Sequence, residues 1–177
     1  MTTAAWAGYP HLRFTGVCFG HQILARSLLG CKVNTNPTTW ELADTEITLT
    51  PVGKRLFSTE DDTIVLHQMH QDYVEEPDRS APAASGAHVW GKSGDCPIQG
   101  FYVPEKIFTS QGHLGADEAM IQEAIEDRQE SGSLPNDAET EKAKETAELD
   151  HDGEMVAGAI LRFLAKWDDG IGEQSKA

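Results

Sequence analysis

The stretch TGVCFGHQ, Thr15 to Gln22, constrains this chain more than any other. A β-type run, LRFTGVC, stops on Cys18. HQILARSLLG then starts an apolar helical pattern, with Ile23, Leu24, Leu28 and Leu29 on one face and Gly30 as its stop. Turning from strand to helix within one residue strains the backbone and crowds the flanking positions, so small residues are needed there. Gly16 and Gly20 stand two residues either side of Cys18, the spacing of the G-x-S-x-G nucleophile elbow with cysteine in place of serine. The N–H groups at the helix start point at the sulfur and favour thiolate at neutral pH. The N–H of Phe19 is then a candidate oxyanion donor. Taken alone, G-x-C-x-G also fits a buried core thiol in a glycine-flanked turn.

One strand–elbow–helix unit, followed by further strands and then helices, predicts an α/β domain of three layers around a mostly parallel open sheet. TEITLT alternates and runs into a turn at Pro51. TIVLHQMH is a strand entering a polar loop, and KIFTSQGH is a strand ending at His113. Beyond Leu114 the pattern becomes helical. GADEAMIQEAIEDRQE reads as an acidic helix, SGSLPND as a break, and residues 131–151 as an acidic linker or solvated helix. EMVAGAILRFLAKW carries Met155, Ile160, Leu161 and Leu164 at helical spacing and closes the domain. Residues 1–167 are read as one domain and 168–177 as a mobile tail; a chain of 177 residues can bury a sizeable core.

Fourteen basic residues against 29 acidic ones give a net charge of −15. Such a chain repels phosphate backbones and anionic lipid, so neither nucleic acid nor a membrane surface is an expected partner. No stretch approaches the ~20 apolar residues of a spanning helix, and the first residues lack the basic start and apolar run of a secretory signal. Cys18, Cys31 and Cys96 are too few and too unevenly spaced for a disulfide framework or a zinc ligand set. A reducing compartment is expected, most simply the cytosol. His67 and His70 form an H-x-x-H pair, but no third ligand stands at helical spacing, so a pocket-shaping loop is expected and no metal is assigned. His21 is expected to pack under the elbow, and Cys31 and Cys96 to be packing residues.

Extended to G-V-C-F-G-H-Q, the elbow resembles that of the class I glutamine amidotransferase-like family, G-x-C-x-G-H-Q. Two further segments resemble the family in the same order. HQMHQDYV, His67 to Val74, is similar to the loop in which a His, an Asp two later and a Val four later follow a strand. TSQGHLG, Thr109 to Gly115, is similar to the segment ending in Q-x-H-P-E, and TTWELADTEITLT to the tryptophan-bearing hairpin of the small standalone members. The resemblance covers roughly residues 14 to 115. It implies a flavodoxin-like sheet and a thioester chemistry that requires no metal or organic cofactor. Cys18 is implied as the nucleophile toward glutamine or another γ-glutamyl amide, with His113 as base and acid. Phe19, Gly20, Gln22 and the backbone of Met69 and His70 are implied to hold the oxyanion and the two ends of the substrate. The implied partners are a small-molecule substrate and a separate acceptor enzyme or a second copy of the chain.

Two positions depart from the family pattern. Gly115 stands where the triad glutamate lies and Leu114 replaces the proline, which leaves Asp117 or Glu118 as the nearest substitute. An orienting carboxylate fixes the imidazole tautomer, and its loss from a serine triad costs about ten-thousandfold. A Cys–His pair depends on it less. The second departure is upstream: about a dozen residues precede the elbow strand, where the family places strands, a helix and a glycine loop that donates the second oxyanion N–H. The chain is therefore read as N-terminally shortened. The leading expectation is a γ-glutamyl amide hydrolase; the alternative is a catalytically impaired member that acts as a binding or accessory protein. A third reading is an α/β-hydrolase with His151 as its base, although His151 sits in an acidic stretch ill-suited to a pocket.

Overall fold

The computed structural model describes residues 6, 8–78, 80–81, 84–116, 118–134, 138–147 and 150–167. The expected tail, 168–177, and Asp117 lie outside the described residues. Strand β1 (Phe14–Val17) leads through Cys18 into helix α1 (Phe19–Leu28), then β2 (Val33–Thr35) and the long β3 (Glu41–Leu49). Helix α2 (Pro51–Phe57), β4 (Thr63–His70), β5 (Asp72–Val74), β6 (His88–Lys92), β7 (Gly100–Val103) and β8 (Ile107–Ser110) follow. Helices α3 (Glu118–Glu130), α4 (Ala138–Thr146) and α5 (Gly153–Leu164) complete the described chain.

Among the described residues, six strands form one sheet in the order β1-β8-β7-β6-β3-β4, and β2 pairs with β5 in a separate ribbon. The α/β class stands, but the sheet is mixed. β1 and β8 are parallel, whereas the β8–β7, β7–β6, β6–β3 and β3–β4 pairs are antiparallel. Parallel neighbours need a crossover of a dozen or more residues; β6, β7 and β8 are joined by short turns, which permit only antiparallel pairing.

Alternation along β7 and β8 builds the three layers. Phe101, Val103 and Ile107 face one way and pack on Leu24, Ala25 and Leu28 of α1. Tyr102 and Phe108 face the other way and pack on Leu56 and Phe57 of α2 and on Val156, Ile160 and Phe163 of α5. Trp90 is fully buried there, its indole N–H donating to Thr109 O at 2.7 Å and its ring edge-on to Phe57 at 5.1 Å.

Three local expectations shift. Pro51 opens helix α2 rather than a turn: Thr50 Oγ1 accepts from Gly53 N at 3.2 Å, and proline suits a first helical position, where its missing N–H has no partner to lose. The buried stripe of α5 is Val156, Ala159, Ile160 and Phe163, so Leu161 and Leu164 face outward at 65% and 41% exposure. On α1, Ile23 is likewise 45% exposed while His21 and Gln22 are buried. No described helix is long and apolar enough to cross a membrane.

Parallel pairing of β1 with β8 sets the site. Val17 registers with Ser110, and Cys18 N donates to Ser110 O at 2.8 Å. His113, three residues past the end of β8, donates its N–H to His67 O at 2.8 Å. Cys18 and His113 thus leave the same end of adjacent strands. Asp152 closes part of the outer edge of β4, accepting from Val65 N and donating to Val65 O, both at 2.8 Å.

Candidate active site

Cys18 sits at φ 52° and ψ −113°, a conformation that costs a side-chain-bearing residue on the order of 1–3 kcal/mol. Hydrogen bonds on both sides hold it: its N–H reaches Ser110 O, and its own carbonyl accepts from Gln22 N at 3.2 Å. Crowding acts on one flank. A Cβ on Gly16 would lie 2.5 Å from the carbonyl carbon of Gly20 and 2.6 Å from its oxygen, whereas a Cβ on Gly20 would meet nothing within 4 Å. Gly16 is therefore the residue the corner demands.

Cys18, Gln22, Met69 and His70 line one open cleft of about 350 Å3, completed by Trp40, Gln71, Asp72 and Arg128. The Phe19 side chain is 68% exposed, and its contribution is its backbone N–H. His113 is not part of the cleft lining; it lies partly buried beside His67.

Burial raises the Cys18 thiol above its ordinary range. The Phe19 N–H, the Arg128 charge and the Gln111 side chain pull it down, and Asp72 pushes it further up. The helix start does favour thiolate, as expected, but desolvation outweighs it. Burial also lowers His113, with the electrostatic influence of His70, Arg128 and His67 acting in the same direction. Both shifts favour the uncharged forms, a thiol at Cys18 and a neutral imidazole at His113. Among the described residues nothing hydrogen-bonds the His113 ring. Gly115 opens onto empty space, and Glu118 is exposed.

Gln22 is only 6% exposed, and its amide is already engaged. Nε2 donates to Gln111 Oε1 at 3.1 Å and to Asp72 O at 3.3 Å, which ties α1 to the loop after β8 and to β5. His21 lies under the elbow, fully buried, with Nδ1 2.8 Å from Thr109 Oγ1 and its ring stacked on Phe101 at 5.7 Å. Burial brings its pKa to about 3. Cys31 and Cys96 are buried thiols, both pushed up to about 12 by desolvation.

The two histidines of H-x-x-H do not converge. The β3–β4 register sets Asp44 opposite His67 and Glu41 opposite His70, with Nε2–Oδ1 at 2.8 Å and Nε2–Oε2 at 2.9 Å. The His151 ring packs at a tilt of 48° against His67, 4.3 Å between centroids, and accepts from Gly153 N at 3.0 Å, which is a packing and capping role.

Sequence reasoning missed Arg128 and Gln111. Arg128 belongs to helix α3, which reads from the sequence only as an acidic helix. The available signal was its spacing, because Ile121, Ile125 and Arg128 fall on one helical face and both isoleucines are buried.

A strained cysteine corner between a strand and a helix, inside a helix–sheet–helix sandwich, defines an α/β protein with a strand-to-helix elbow. The chain belongs to the glutamine amidotransferase class-I family, which it matches over residues 2–119. It is 31% identical over 157 residues to a Schizosaccharomyces pombe protein described as glutamine amidotransferase-like, covering 88% of this chain and 59% of that one. It is 32% identical over 159 residues to a Saccharomyces cerevisiae protein provisionally named a glutamine amidotransferase, covering 89% and 58%. The chain therefore spans less than two thirds of the length of these curated relatives. A glutamine amidotransferase from Thermotoga maritima shares the fold, with a TM-score of 0.65 at 21% identity over 96% of this chain and 68% of that one. Arg128 lies beyond the family match.

Proposed function

We propose that this chain hydrolyses the side-chain amide of glutamine or of a γ-glutamyl amide or peptide. The observation that carries the reading is Cys18, held at φ 52° on the elbow and opening into a cleft that also holds a cation, Arg128. Cys18 Sγ attacks the γ-carbonyl carbon while its proton passes to His113, and the carbonyl electrons move onto an oxygen met by the Phe19 N–H. The C–N bond then breaks, and ammonia or an amine leaves with the proton from His113, which yields a γ-glutamyl thioester. Water gives a proton to His113 and attacks the thioester, the C–S bond breaks, and glutamate departs as the sulfur is reprotonated. The Gly20 backbone, Gln22 and the backbone of Met69 and His70 line the glutamyl part. Arg128 receives the α-carboxylate through charge-assisted hydrogen bonds. Free thiols and strong acidity suit a cytosolic setting, with any acceptor enzyme supplied as another chain.

A glutamine-analogue affinity label is expected to modify Cys18 stoichiometrically, and Cys18→Ala should lose both the label and γ-glutamyl anilide hydrolysis. Because the thiol is raised, the labelling rate should climb as pH rises above neutrality. A folded sample that takes no label at any pH would favour the second reading, an impaired member that binds a γ-glutamyl ligand or partner. Gly115 and the unheld His113 ring are the observations on that side.

Removing the cation tests the carboxylate contact separately. A hydrogen bond to a charged group contributes about 1.5–3 kcal/mol, so Arg128→Gln should raise KM roughly 10- to 100-fold with a smaller change in kcat. An unchanged KM would remove Arg128 from the substrate site.

A further inference from the structure

Behind the cleft wall formed by His70, three potential ligands converge from separate segments. Glu41 comes from β3, His70 from the end of β4, and Cys96 from the turn between β6 and β7. All three are buried, and a carboxylate oxygen, a ring nitrogen and Sγ lie within 4.8 Å of one another.

Hydrogen bonding fixes how His70 presents itself. Its Nδ1 is 3.0 Å from Asp72 O, and a carbonyl can only accept, so the hydrogen is on Nδ1. Nε2 is then left 2.9 Å from Glu41 Oε2. Two lone pairs do not face each other at that distance in a dry interior; a second proton or a metal ion has to lie between them. Cys96 brings a third donor to the same point: its thiol hydrogen is directed to Ile98 O at 3.4 Å and would be released when the sulfur binds a metal ion.

The surrounding hydrogen bonds present that third donor. Ser93 N donates to Cys96 O at 2.9 Å, and Cys96 N donates to Ser93 Oγ at 3.1 Å, closing a tight turn that carries the sulfur. Ser93 Oγ also donates to Glu41 Oε1, and Gln99 Nε2 donates to Glu41 Oε2 at 2.8 Å. The imidazole is thus oriented by a carbonyl, and the carboxylate by a hydroxyl and an amide. Such outer hydrogen bonds are those that orient metal ligands. A carboxylate, a thiolate and a neutral imidazole carry two negative charges, which one divalent ion balances. This mixed set of sulfur, nitrogen and oxygen suits zinc better than magnesium or calcium.

We infer that Glu41, His70 and Cys96 form a zinc site that pins β3, β4 and the β6–β7 turn together behind the cleft. The site is structural and independent of whether the chain hydrolyses amides.

The test uses Co(II) as a spectroscopic stand-in for zinc. The full chain, stripped with chelator and kept reduced, is titrated with Co(II). One equivalent should produce a thiolate-to-cobalt charge-transfer band, and Zn(II) should erase it. The band should persist in Cys18→Ser and vanish in Cys96→Ser. If Cys96→Ser does not fold, Glu41→Gln provides the second arm, with Co(II) affinity at least tenfold weaker. Zn(II) should also raise the Tm of the wild type. A folded wild type without the band, or a band that disappears with Cys18 and survives loss of Cys96, overturns the site and leaves Glu41 and His70 as an ordinary ion pair.

Discussion

Gly16→Ala is expected to lower Tm by about 10 °C and to slow affinity labelling of Cys18 at least a hundredfold. The new methyl would lie 2.5 Å from the carbonyl carbon of Gly20, 2.6 Å from its oxygen and 3.0 Å from the amide nitrogen of His21. All three are backbone atoms in the first turn of α1, so none can move aside by changing a rotamer. Relief has to come from displacing the helix start from β1, which disturbs the two hydrogen bonds that hold Cys18 in its strained conformation. Overpacking of this kind costs typically 1–3 kcal/mol and occasionally more; about 3 kcal/mol gives the stated shift for a chain of this size. Gly20→Ala is the matched control. Its Cβ meets nothing within 4 Å, and alanine is the better helix former by about 1 kcal/mol, so Tm should hold or rise. Thermal melts of the two variants beside the wild type decide the matter. A Gly16→Ala protein with wild-type Tm and labelling rate would mean that the corner is not strained as described.

The elbow was legible because its requirements are local. A strand pattern, a helix pattern and a glycine within five residues leave few conformations, and the structure places Cys18 at a positive φ between β1 and α1. The mixed sheet was not legible, because strand order depends on non-local pairing that no short window contains. Periodicity gave the helices but not always their buried side: Leu161 and Phe163 are both apolar and nearly adjacent, and only the aromatic cluster with Tyr102 and Phe108 selects Phe163. The carboxylate partners of His67 and His70 were hidden for a further reason. Ala43, at φ 53°, interrupts the regular backbone of β3 between Glu41 and Asp44. Two acids three residues apart then serve two histidines three residues apart. Arg128 lies in a helix whose composition masks its inward spacing, and neither its reach to the cleft nor that of Gln111 to the sulfur has a signature in sequence alone.

Gly115→Glu is expected to raise kcat/KM for a γ-glutamyl anilide by about 10- to 1,000-fold. The ceiling comes from serine triads, where an orienting carboxylate is worth about ten-thousandfold; the lower figures reflect a thiol's weaker dependence on its base. Two features of the site make the gain accessible. Position 115 is exposed and a Cβ there meets nothing, so the longer side chain should cost little stability. The His113 ring is unheld among the described residues, and its pKa is lowered first by burial and then by its neighbours His70, Arg128 and His67. A carboxylate two residues away opposes that shift, fixes one tautomer and stabilises the imidazolium that forms when Cys18 attacks. The acidic limb of the pH–rate profile should therefore move to higher pH in the glutamate variant. Gly115→Gln separates charge from volume, since it can orient the ring but not stabilise its cation, and it should recover only a small part of the gain and leave the acidic limb in place. If both variants match the wild type in rate and in pH profile while Cys18 still takes the affinity label, His113 is not the group that exchanges the proton, and the base has to be sought among the other histidines near the cleft.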